Sequence, residues 1–261
     1  MSGDNLLGDF LKARRGRIRA DEAGVPSFGR RRVPGLRRDE LARLAGMSQH
    51  YLTRLEQGKD RNPSAQVLRA LAIALRLDRD ETAHLYALAD PPAAIDDHGE
   101  AAEDVQQLLD SWTGTPAYVR SRRFDVLAAN KLAMALSPMY TPGRNLVRDV
   151  FLDREVRTLF PDWEEIAAQT VAALRAGADL RDPETAELVS SMLTDSHFRA
   201  LWANHDVRPS RNEIKRFVHP AVGPLTLRRQ ALSIAGAENQ VIITYQAEPG
   251  TPSGDALARL L

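Results

Sequence analysis

A short polar segment at residues 49–57 combines side chains that can recognise nucleic-acid bases. Leu52 and Leu55 lie three residues apart and share one face of a helix, so at about 100° per residue the remaining side chains point the other way. That outer face carries His50, Thr53, Arg54 and Gln57, with Gln49 at its leading flank. A Gln amide can form two hydrogen bonds to adenine, and an Arg guanidinium can form two to guanine. The pattern predicts a helix face that is able to read base edges.

Such a helix needs a partner that holds it against a common core. The segment Leu36–Pro63, LRRDELARLAGMSQHYLTRLEQGKDRNP, has the spacing of a helix-turn-helix. Ala42 is small where the two helices would cross, Gly46 permits the positive φ that reverses the chain, and Ser48 can cap the second helix. The expected shared core consists of Leu41, Leu44, Leu52 and Leu55. An αα-hairpin that serves only as core has the same spacing.

The charge distribution favours a polyanionic partner. The 261 residues include 35 Lys or Arg and 35 Asp or Glu, which argues against a uniformly basic or acidic protein. Residues 1–90, however, carry 17 basic and 12 acidic side chains, and residues 12–61 alone carry 14 basic and 6 acidic ones. Basic charge concentrated in this way is expected where phosphates are bound, although a solvated basic face has the same composition.

Two absences in the sequence narrow the class of protein. There is no cysteine, which excludes disulfides, thiolate metal sites and thiol nucleophiles. There is also no run of 18 apolar residues, and the amino terminus lacks the features of a signal peptide. We therefore expect a cytoplasmic protein with no membrane contact.

Hydrophobic periodicity divides the chain into an all-α part and an α+β part. Short runs of apolar residues at helical spacing predict a five-helix domain over residues 1–89. The Pro-rich, acidic stretch 90–103 has a composition typical of a linker. Residues 104–261 are expected to form an antiparallel sheet with intervening helices. The strands are predicted as a hairpin at 117–127 and three further strands at 214–219, 225–234 and 241–246, and the helices at 130–136, 163–176, 183–193 and 198–204.

The helix-turn-helix segment resembles the phage-repressor-like (XRE) family, and its wider surroundings resemble the actinobacterial MmyB-like branch of that family. The segments that carry the resemblance are GLRRDELARLAG, YLTRLEQGKDRNPSAQVLRALAIALRL, TPAYVRSRRFDVLAANKLA, FPDWEEIAAQTVAALRA, FRALWANHDVR and HPAVGPLTLRRQAL. The resemblance therefore covers nearly the whole chain. The resemblance implies an amino-terminal DNA-binding domain, a carboxy-terminal PAS-like domain that binds a ligand, and a role in transcription regulation with double-stranded DNA as partner.

Matched position by position, the resemblance also implies roles for individual residues. The base readers would be Gln49, His50 and Arg54, with Thr53 as a further candidate, and the phosphate contacts would be Arg38, Lys59 and Arg61. Arg15 and Glu56 match a structural ion pair between the first and third helices. Two features depart from the family pattern: the second helix has no Ser or Thr cap, and the connector 17–34, with its three arginines at 30–32, is longer.

The resemblance further implies an apolar cavity in the second domain. The aromatic residues available to line it are Tyr118, Phe124, Phe151, Phe160, Trp163, Phe198 and Trp202. We expect a fatty-acyl or similar apolar ligand, with Arg120, Asn130, Asn145 or Arg148 at its polar end. Each aromatic, however, has an ordinary place in a core, and each polar group can also cap a turn or pair on the surface. High affinity for DNA generally needs two half-sites, so a homodimer is expected.

Other functional classes have less support in the sequence. His197, His205, Asp206 and His219 do not have the spacing of a metal site or a catalytic motif, so we expect no metal, no required cofactor and no enzyme activity. His205 and His219 are expected to act as structural hydrogen-bonding groups. The remaining alternative is a scaffold whose helix-turn-helix docks a protein partner.

Overall fold

A computed structural model describes residues 5–19, 21, 23, 35–90, 103–209 and 212–260. Its contacts divide the chain into two compact units, one of residues 1–94 with 203–208 and the other of residues 95–202 with 209–261. The three arginines at 30–32 lie outside the described residues.

The described part of the first unit is all-α. It contains α1 (Leu6–Arg17), α2 (Arg38–Leu44), α3 (Gln49–Glu56), α4 (Ala65–Ala74) and α5 (Arg79–Ala89). The predicted helical domain is confirmed. The apolar side chains of each helix point to a common core, in which Phe10, Leu11, Leu41, Leu71 and Leu85 are almost completely buried.

The turn between α2 and α3 has the predicted geometry. Gly46 has φ 65°, and the Ser48 Oγ accepts a hydrogen bond from the Tyr51 N–H at 3.1 Å. Ala42 is buried, as expected at a close helix crossing. The prediction that Leu44 belongs to the shared core is wrong: Leu44 is the last residue of α2, and its side chain is 41% exposed.

Helix α2 begins without a side-chain acceptor from its own N-cap residue, Arg37. Instead, the Glu40 carboxylate accepts a hydrogen bond from the backbone N–H of Arg37 at 2.7 Å. Glu40 is the third residue of the helix, where a carboxylate both reaches back to the cap and interacts favourably with the helix dipole.

The second unit contains a five-stranded antiparallel sheet. Its strands are β1 (Ala117–Ser121), β2 (Val126–Ala129), β3 (Glu213–His219), β4 (Gly223–Ile234) and β5 (Ala237–Gln246). Their order across the sheet is β2-β1-β5-β4-β3, so the last strand of the chain lies between the hairpin and β4. In the register, Tyr118 lies opposite Ile243 of β5 and Ala129 of β2. The predicted hairpin and three later strands are all present.

The helices of this unit lie mostly between β2 and β3. They are α6 (Glu103–Ser111), α7 (Lys131–Leu136), α8 (Leu146–Leu152), α9 (Arg154–Leu159), α10 (Trp163–Gly177), α11 (Pro183–Met192), α12 (Ser196–Ala203) and α13 (Pro252–Ala258), with a 3-10 turn at Pro138–Tyr140. The sequence predicted α7, α10, α11 and α12. It missed α6, α8, α9 and α13.

Apolar side chains cover both faces of the sheet at the hairpin. Tyr118 and Ile243 belong to the large core that includes the helices between β2 and β3. Their neighbours Val119 and Ile242 pack with Leu109 of α6 in a smaller cluster. Successive strand residues point to opposite faces, so α6 covers one face and the main helical layer the other.

Candidate DNA-binding surface and ligand-binding core

Helix α3 presents a polar face to solvent, as its sequence predicted. Leu52 and Leu55 are completely buried, whereas Gln49, His50 and Arg54 are exposed. Thr53 is half-buried, and its hydroxyl donates to the Gln49 carbonyl at 2.8 Å. The Gln49, His50 and Arg54 side chains are therefore the accessible polar groups among the predicted base readers, while the Thr53 hydroxyl is engaged within the helix.

Arg54 has a carboxylate partner that the sequence did not predict. Its Nε donates to one oxygen of Asp60 at 2.7 Å, and its Nη2 donates to the other at 2.9 Å. Asp60 follows α3 in the turn that contains Gly58, which has φ 71°. Because the partner lies beyond the helix, helical periodicity carries no signal for this pair.

The predicted phosphate-binding residues surround the same end of α3. Lys59 and Arg61 are exposed, and the Arg61 Nε donates to the Gly58 carbonyl at 3.1 Å. The backbone N–H of Lys59 donates to the Arg54 carbonyl at 2.9 Å. The turn therefore carries one exposed cation on each side of Asp60 in the chain, Lys59 before it and Arg61 after it.

Glu56 joins three parts of the first unit. It is completely buried, and the Nε of Arg15 donates to its Oε1 at 2.7 Å. Arg38 binds the other carboxylate oxygen through its Nε. The Asn5 amide, which also caps α1, donates to the Glu56 backbone carbonyl at 2.9 Å. The Arg15–Glu56 pair forms as the resemblance implied, and Arg38 is held by the same carboxylate.

A segment distant in sequence also belongs to the first unit. Arg14 donates to the His205 backbone carbonyl at 2.6 Å and pairs with Glu81 of α5 at 2.6 Å. Arg17 pairs with Asp206 at 2.7 Å. His205 has φ 52°, so the chain turns sharply at this contact. The helical pattern of the sequence gave no indication that residues 203–208 pack on α1.

Four of the predicted ligand-lining aromatics form one cluster in the helical layer of the second unit. Phe151 contacts Trp163 and Phe198 edge-on, with ring centroids 6.1 and 5.2 Å apart, and Phe198 stacks on Trp202 at 5.6 Å. The Trp163 indole N–H donates to the Val150 carbonyl at 2.7 Å. Phe151 is only partly buried, so the cluster reaches the protein surface.

A second aromatic cluster lies against the sheet. Tyr118 stacks on Tyr140 with centroids 4.5 Å apart, and the Tyr140 hydroxyl donates to the Tyr245 hydroxyl at 3.0 Å. Phe217 meets Tyr245 edge-on and also contacts Phe160. Burial, together with the nearby Tyr245, raises the pKa of Tyr118 and of Tyr140 well above that of a free phenol. Of these residues, Tyr118 and Phe160 were predicted from the sequence as ligand-lining aromatics, whereas Tyr140, Phe217 and Tyr245 were not.

Two of the predicted polar anchors, Asn130 and Arg120, have structural partners. The Asn130 carbonyl oxygen accepts from the backbone N–H of Ala117 and Ala133, and its amide nitrogen lies within hydrogen-bond distance of three backbone carbonyls. It therefore caps α7, the alternative role that the sequence allowed. Arg120 donates to the Ser121 carbonyl, and its guanidinium stacks on Phe124 with 3.9 Å between the Arg120 Cζ and the ring centroid.

The described clefts are lined by residues other than the predicted aromatics, although two of the predicted polar anchors, Asn145 and Arg148, line one of them. One, of about 570 Å³, lies between the segment before β1 and the end of β5, and its lining includes Thr115, Leu132 and Leu257. Another, of about 370 Å³, is lined mainly by charged and amide groups, including Arg123, Asn145 and Arg148. None of the predicted aromatic residues lines either cleft. The role of these aromatics in ligand binding stays a prediction.

The histidines show no metal-binding arrangement within the described residues, in which no cluster of three potential ligands occurs. His219 makes two local contacts: its Nε2 lies 3.1 Å from the Ala135 carbonyl, and its Nδ1 lies 3.2 Å from the Ala221 N–H. An acceptor on one nitrogen and a donor on the other fit a neutral imidazole with the proton on Nε2. His219 thus has the predicted structural role.

Among the described residues, no helix combines the length and the hydropathy needed to cross a bilayer. The family model of a helix-turn-helix domain matches residues 6–85, which contain α1 to α5 except for the last residues of α5. The family model of the MmyB-like transcription regulator ligand binding domain matches residues 101–261. No curated protein matches the chain. Because the second model covers more than half of the chain, the protein belongs to the MmyB-like family of helix-turn-helix transcription regulators, and is a DNA-binding regulator with a ligand-binding domain.

Proposed function

We propose that this regulator binds a specific DNA sequence through α3, with Gln49, His50, Thr53 and Arg54 at base edges and Arg38, Lys59 and Arg61 at phosphates. The observation that carries the proposal is the exposed polar face of α3, which is fixed at one end by the Ser48 cap and bordered at the other by exposed cations. A helix held in this way can enter the major groove, where each base pair has a distinct pattern of donors and acceptors. The proposal includes no catalytic step.

The test separates base reading from phosphate binding. The preferred site is first selected from random duplex DNA with the full-length protein, and affinities are then measured by fluorescence anisotropy at several salt concentrations. Arg54→Ala should cost about 1–3 kcal/mol at the selected site and relax the preference at one base pair. Lys59→Ala should weaken binding to all sequences alike and reduce the salt dependence by about one ion.

If Lys59→Ala changed the sequence preference and Arg54→Ala weakened binding to all sequences alike, the roles assigned to these two residues would be contradicted. If the selection returns no enriched sequence and no duplex is bound in a salt-dependent way, the proposed role of α3 in DNA binding is wrong. That result would favour the alternative in which the helix-turn-helix docks a protein partner.

We further propose that the protein acts as a homodimer. A single small domain makes few base and phosphate contacts, and two copies on half-sites about 34 Å apart supply the affinity that one copy lacks. Light scattering after size exclusion, with and without the selected DNA, tests this step. A monomer under both conditions is the contradicting result.

The ligand proposed for the second domain is a fatty-acyl chain or a molecule of similar apolar character. The sheet with helices between its hairpin and its later strands supports a PAS-like domain, and the partly buried Phe151 cluster supports apolar binding there. In this cluster Phe151 lies at the edge, so a ligand that displaces its ring gains contact with Trp163 and Phe198. The ligand regulates DNA binding only to the extent that it prefers one conformation of the protein over another.

Tryptophan fluorescence gives a direct test of this site. The chain has three tryptophans, and two of them, Trp163 and Trp202, lie in the Phe151 cluster. In a Trp112→Phe background, titration with fatty acids of increasing length should change the emission in a saturable way. Phe151→Ala should alter the affinity, whereas Leu152→Ala, at the exposed neighbouring position of α8, is the control. Mass spectrometry of natively purified protein should recover the bound molecule. No saturable change with any chain length, and no recovered ligand, would contradict the proposal.

A further inference from the structure

The contact between Arg54 and Asp60 fixes the orientation of the guanidinium. Both bonds approach the same side of the group, through Nε and Nη2, at 2.7 and 2.9 Å. The backbone of the turn keeps Asp60 close to the end of α3, because the N–H groups of Lys59 and Asp60 donate to the Arg54 carbonyl at 2.9 and 3.4 Å. Asp60 is thus supported from outside the helix and can align the Arg54 side chain.

This arrangement leaves a matched pair of donors available. A guanidinium has five N–H groups, and the side-on contact with Asp60 uses one on Nε and one on Nη2. The two N–H groups at the far end, one on Nη1 and one on Nη2, stay parallel and point away from the carboxylate. A parallel pair of this kind matches the O6 and N7 acceptors of guanine in the major groove. Binding to Asp60 and binding to guanine are therefore compatible.

The charge of Asp60 is unexpected on a phosphate-binding surface. Its neighbours in the chain are the cations Lys59 and Arg61, and an added negative charge weakens attraction to any duplex. The hydrogen bond from Arg54 lowers the pKa of the Asp60 carboxyl, so the group stays ionised near neutral pH. An acid at this position lowers non-specific affinity, and its compensating effect is to restrict the directions in which Arg54 can donate.

We propose that Asp60 is a positioning residue for sequence recognition: it holds the Arg54 guanidinium side-on so that its far edge reads a guanine. This inference rests on the proposed role of Arg54 as a base reader. It adds that the selectivity of Arg54 depends on a residue outside the recognition helix. It also assigns Asp60 opposite effects on non-specific and specific binding.

The test compares Asp60→Asn with Arg54→Ala in the full-length protein. The base pair read by Arg54 is the position at which Arg54→Ala loses its preference. At that position Asp60→Asn should lower the preference for guanine roughly three- to tenfold, as expected for partial loss of one bidentate contact. Preferences at other positions should be unchanged. Binding to unrelated duplexes should be equal or tighter, because one negative charge is removed.

Asp9→Asn is the matched control. It removes one carboxylate charge from the same unit, where Asp9 pairs with Lys12 on α1 and does not contact Arg54. Circular dichroism and thermal unfolding establish that each variant is folded.

Three outcomes overturn the inference in distinguishable ways. If Asp60→Asn changes binding to all sequences alike, as Asp9→Asn is expected to do, Asp60 acts through charge alone and the inference is wrong. If Arg54→Ala loses a base preference that Asp60→Asn retains, Arg54 reads DNA without this support. If Arg54→Ala changes no base preference, the base-reading role in the proposed function fails, and the inference fails with it.

Discussion

At the scale of single residues, Glu56 is the charge on which the helix-turn-helix depends most. Its side chain is completely buried and holds Arg15 and Arg38, which are 17% and 44% exposed. We predict that Glu56→Gln lowers the free energy of unfolding by about 3 kcal/mol, because it leaves the less exposed Arg15 without its counter-ion. Urea unfolding followed by far-ultraviolet circular dichroism measures this change.

Arg38→Ala provides the comparison for Glu56. Its guanidinium is nearly half exposed, and such ion pairs contribute about 0–1 kcal/mol. A larger loss of stability for Arg38→Ala than for Glu56→Gln would contradict the assigned importance of the Arg15 contact. In DNA binding the order should reverse, since Arg38 is also a proposed phosphate contact.

The sequence predicted on which face of a helix a functional side chain lies, but it did not predict several of the side chains' hydrogen-bond partners. Helical periodicity placed Arg54 on the outer face and Leu52 inside, because both statements concern one helix. Asp60 and Arg38 find their partners across a turn and between two helices, where the distance depends on how the elements pack. Asn130 illustrates the same limit, since the choice between ligand anchor and helix cap depended on which backbone groups surround it.

At the scale of elements, two glycines in the first unit should respond differently to substitution. Gly46 has φ 65°, and a Cβ added there would meet no atom within 4 Å, so Gly46→Ala should cost only the backbone strain of about 1–2 kcal/mol. Gly58 has φ 71°, and its Cβ would lie 2.7 Å from the Oδ1 of Asn5. Gly58→Ala should therefore cost roughly 1 kcal/mol more, by displacing the Asn5 cap of α1. Thermal unfolding of the two variants gives the comparison, and equal losses would argue against the Asn5 contact.

Two buried tyrosines, Tyr118 on β1 and Tyr140 in the 3-10 turn, should make the stability of the second unit depend on alkaline pH. Tyr118 and Tyr140 have raised pKa values in the folded protein, whereas in the unfolded chain a tyrosine ionises near pH 10. Above about pH 10 the folded state keeps protons that the unfolded state loses, so the free energy of unfolding falls as pH rises. Ultraviolet absorbance should show that these two phenols ionise only when the domain unfolds. Tyr118→Phe should weaken the pH dependence, and reversible ionisation of Tyr118 and Tyr140 in the folded protein near pH 10 would contradict the prediction.

The elements that the sequence predicted are those with a long or regular pattern. The five helices of the first unit and the three later strands have repeated apolar positions or β-rich composition, so their local preference agrees with the fold. Helices α8, α9 and α13 have seven, six and seven residues, which is too short for a clear helical repeat. Helix α2 is equally short, but the helix-turn-helix spacing around it identified it. Length alone therefore does not separate the helices that were predicted from those that were not, because α7 has only six residues and was predicted.

At the scale of the whole molecule, the first unit is assembled from parts of the chain that lie far apart. The contact between Arg14 and the His205 carbonyl joins residues separated by 191 positions. Neither the helical pattern of α1 nor the turn at His205 contains any information about the other. The sequence-based prediction divided the chain into consecutive segments and so placed residues 203–208 in the second domain. In the structure, the contacts of these residues group them with the first unit.

Arg14 should control the order of this remote segment. Its side chain is 8% exposed and bridges the His205 carbonyl and the Glu81 carboxylate, so Arg14→Ala removes both contacts and leaves Glu81 without this partner. We predict that the backbone order parameters of residues 203–208, measured by NMR relaxation, fall from values near 0.85 towards those of flexible chain, about 0.6 or lower. Lys12→Ala on the same helix is the control, because the Lys12 side chain pairs with Asp9 and should leave the segment unchanged. If order parameters in Arg14→Ala equal those of the native protein, the Arg17–Asp206 pair and the buried Val207 hold the segment without Arg14, and the prediction is wrong. Low order parameters already present in the native protein would instead mean that these contacts are too weak to dock the segment on α1.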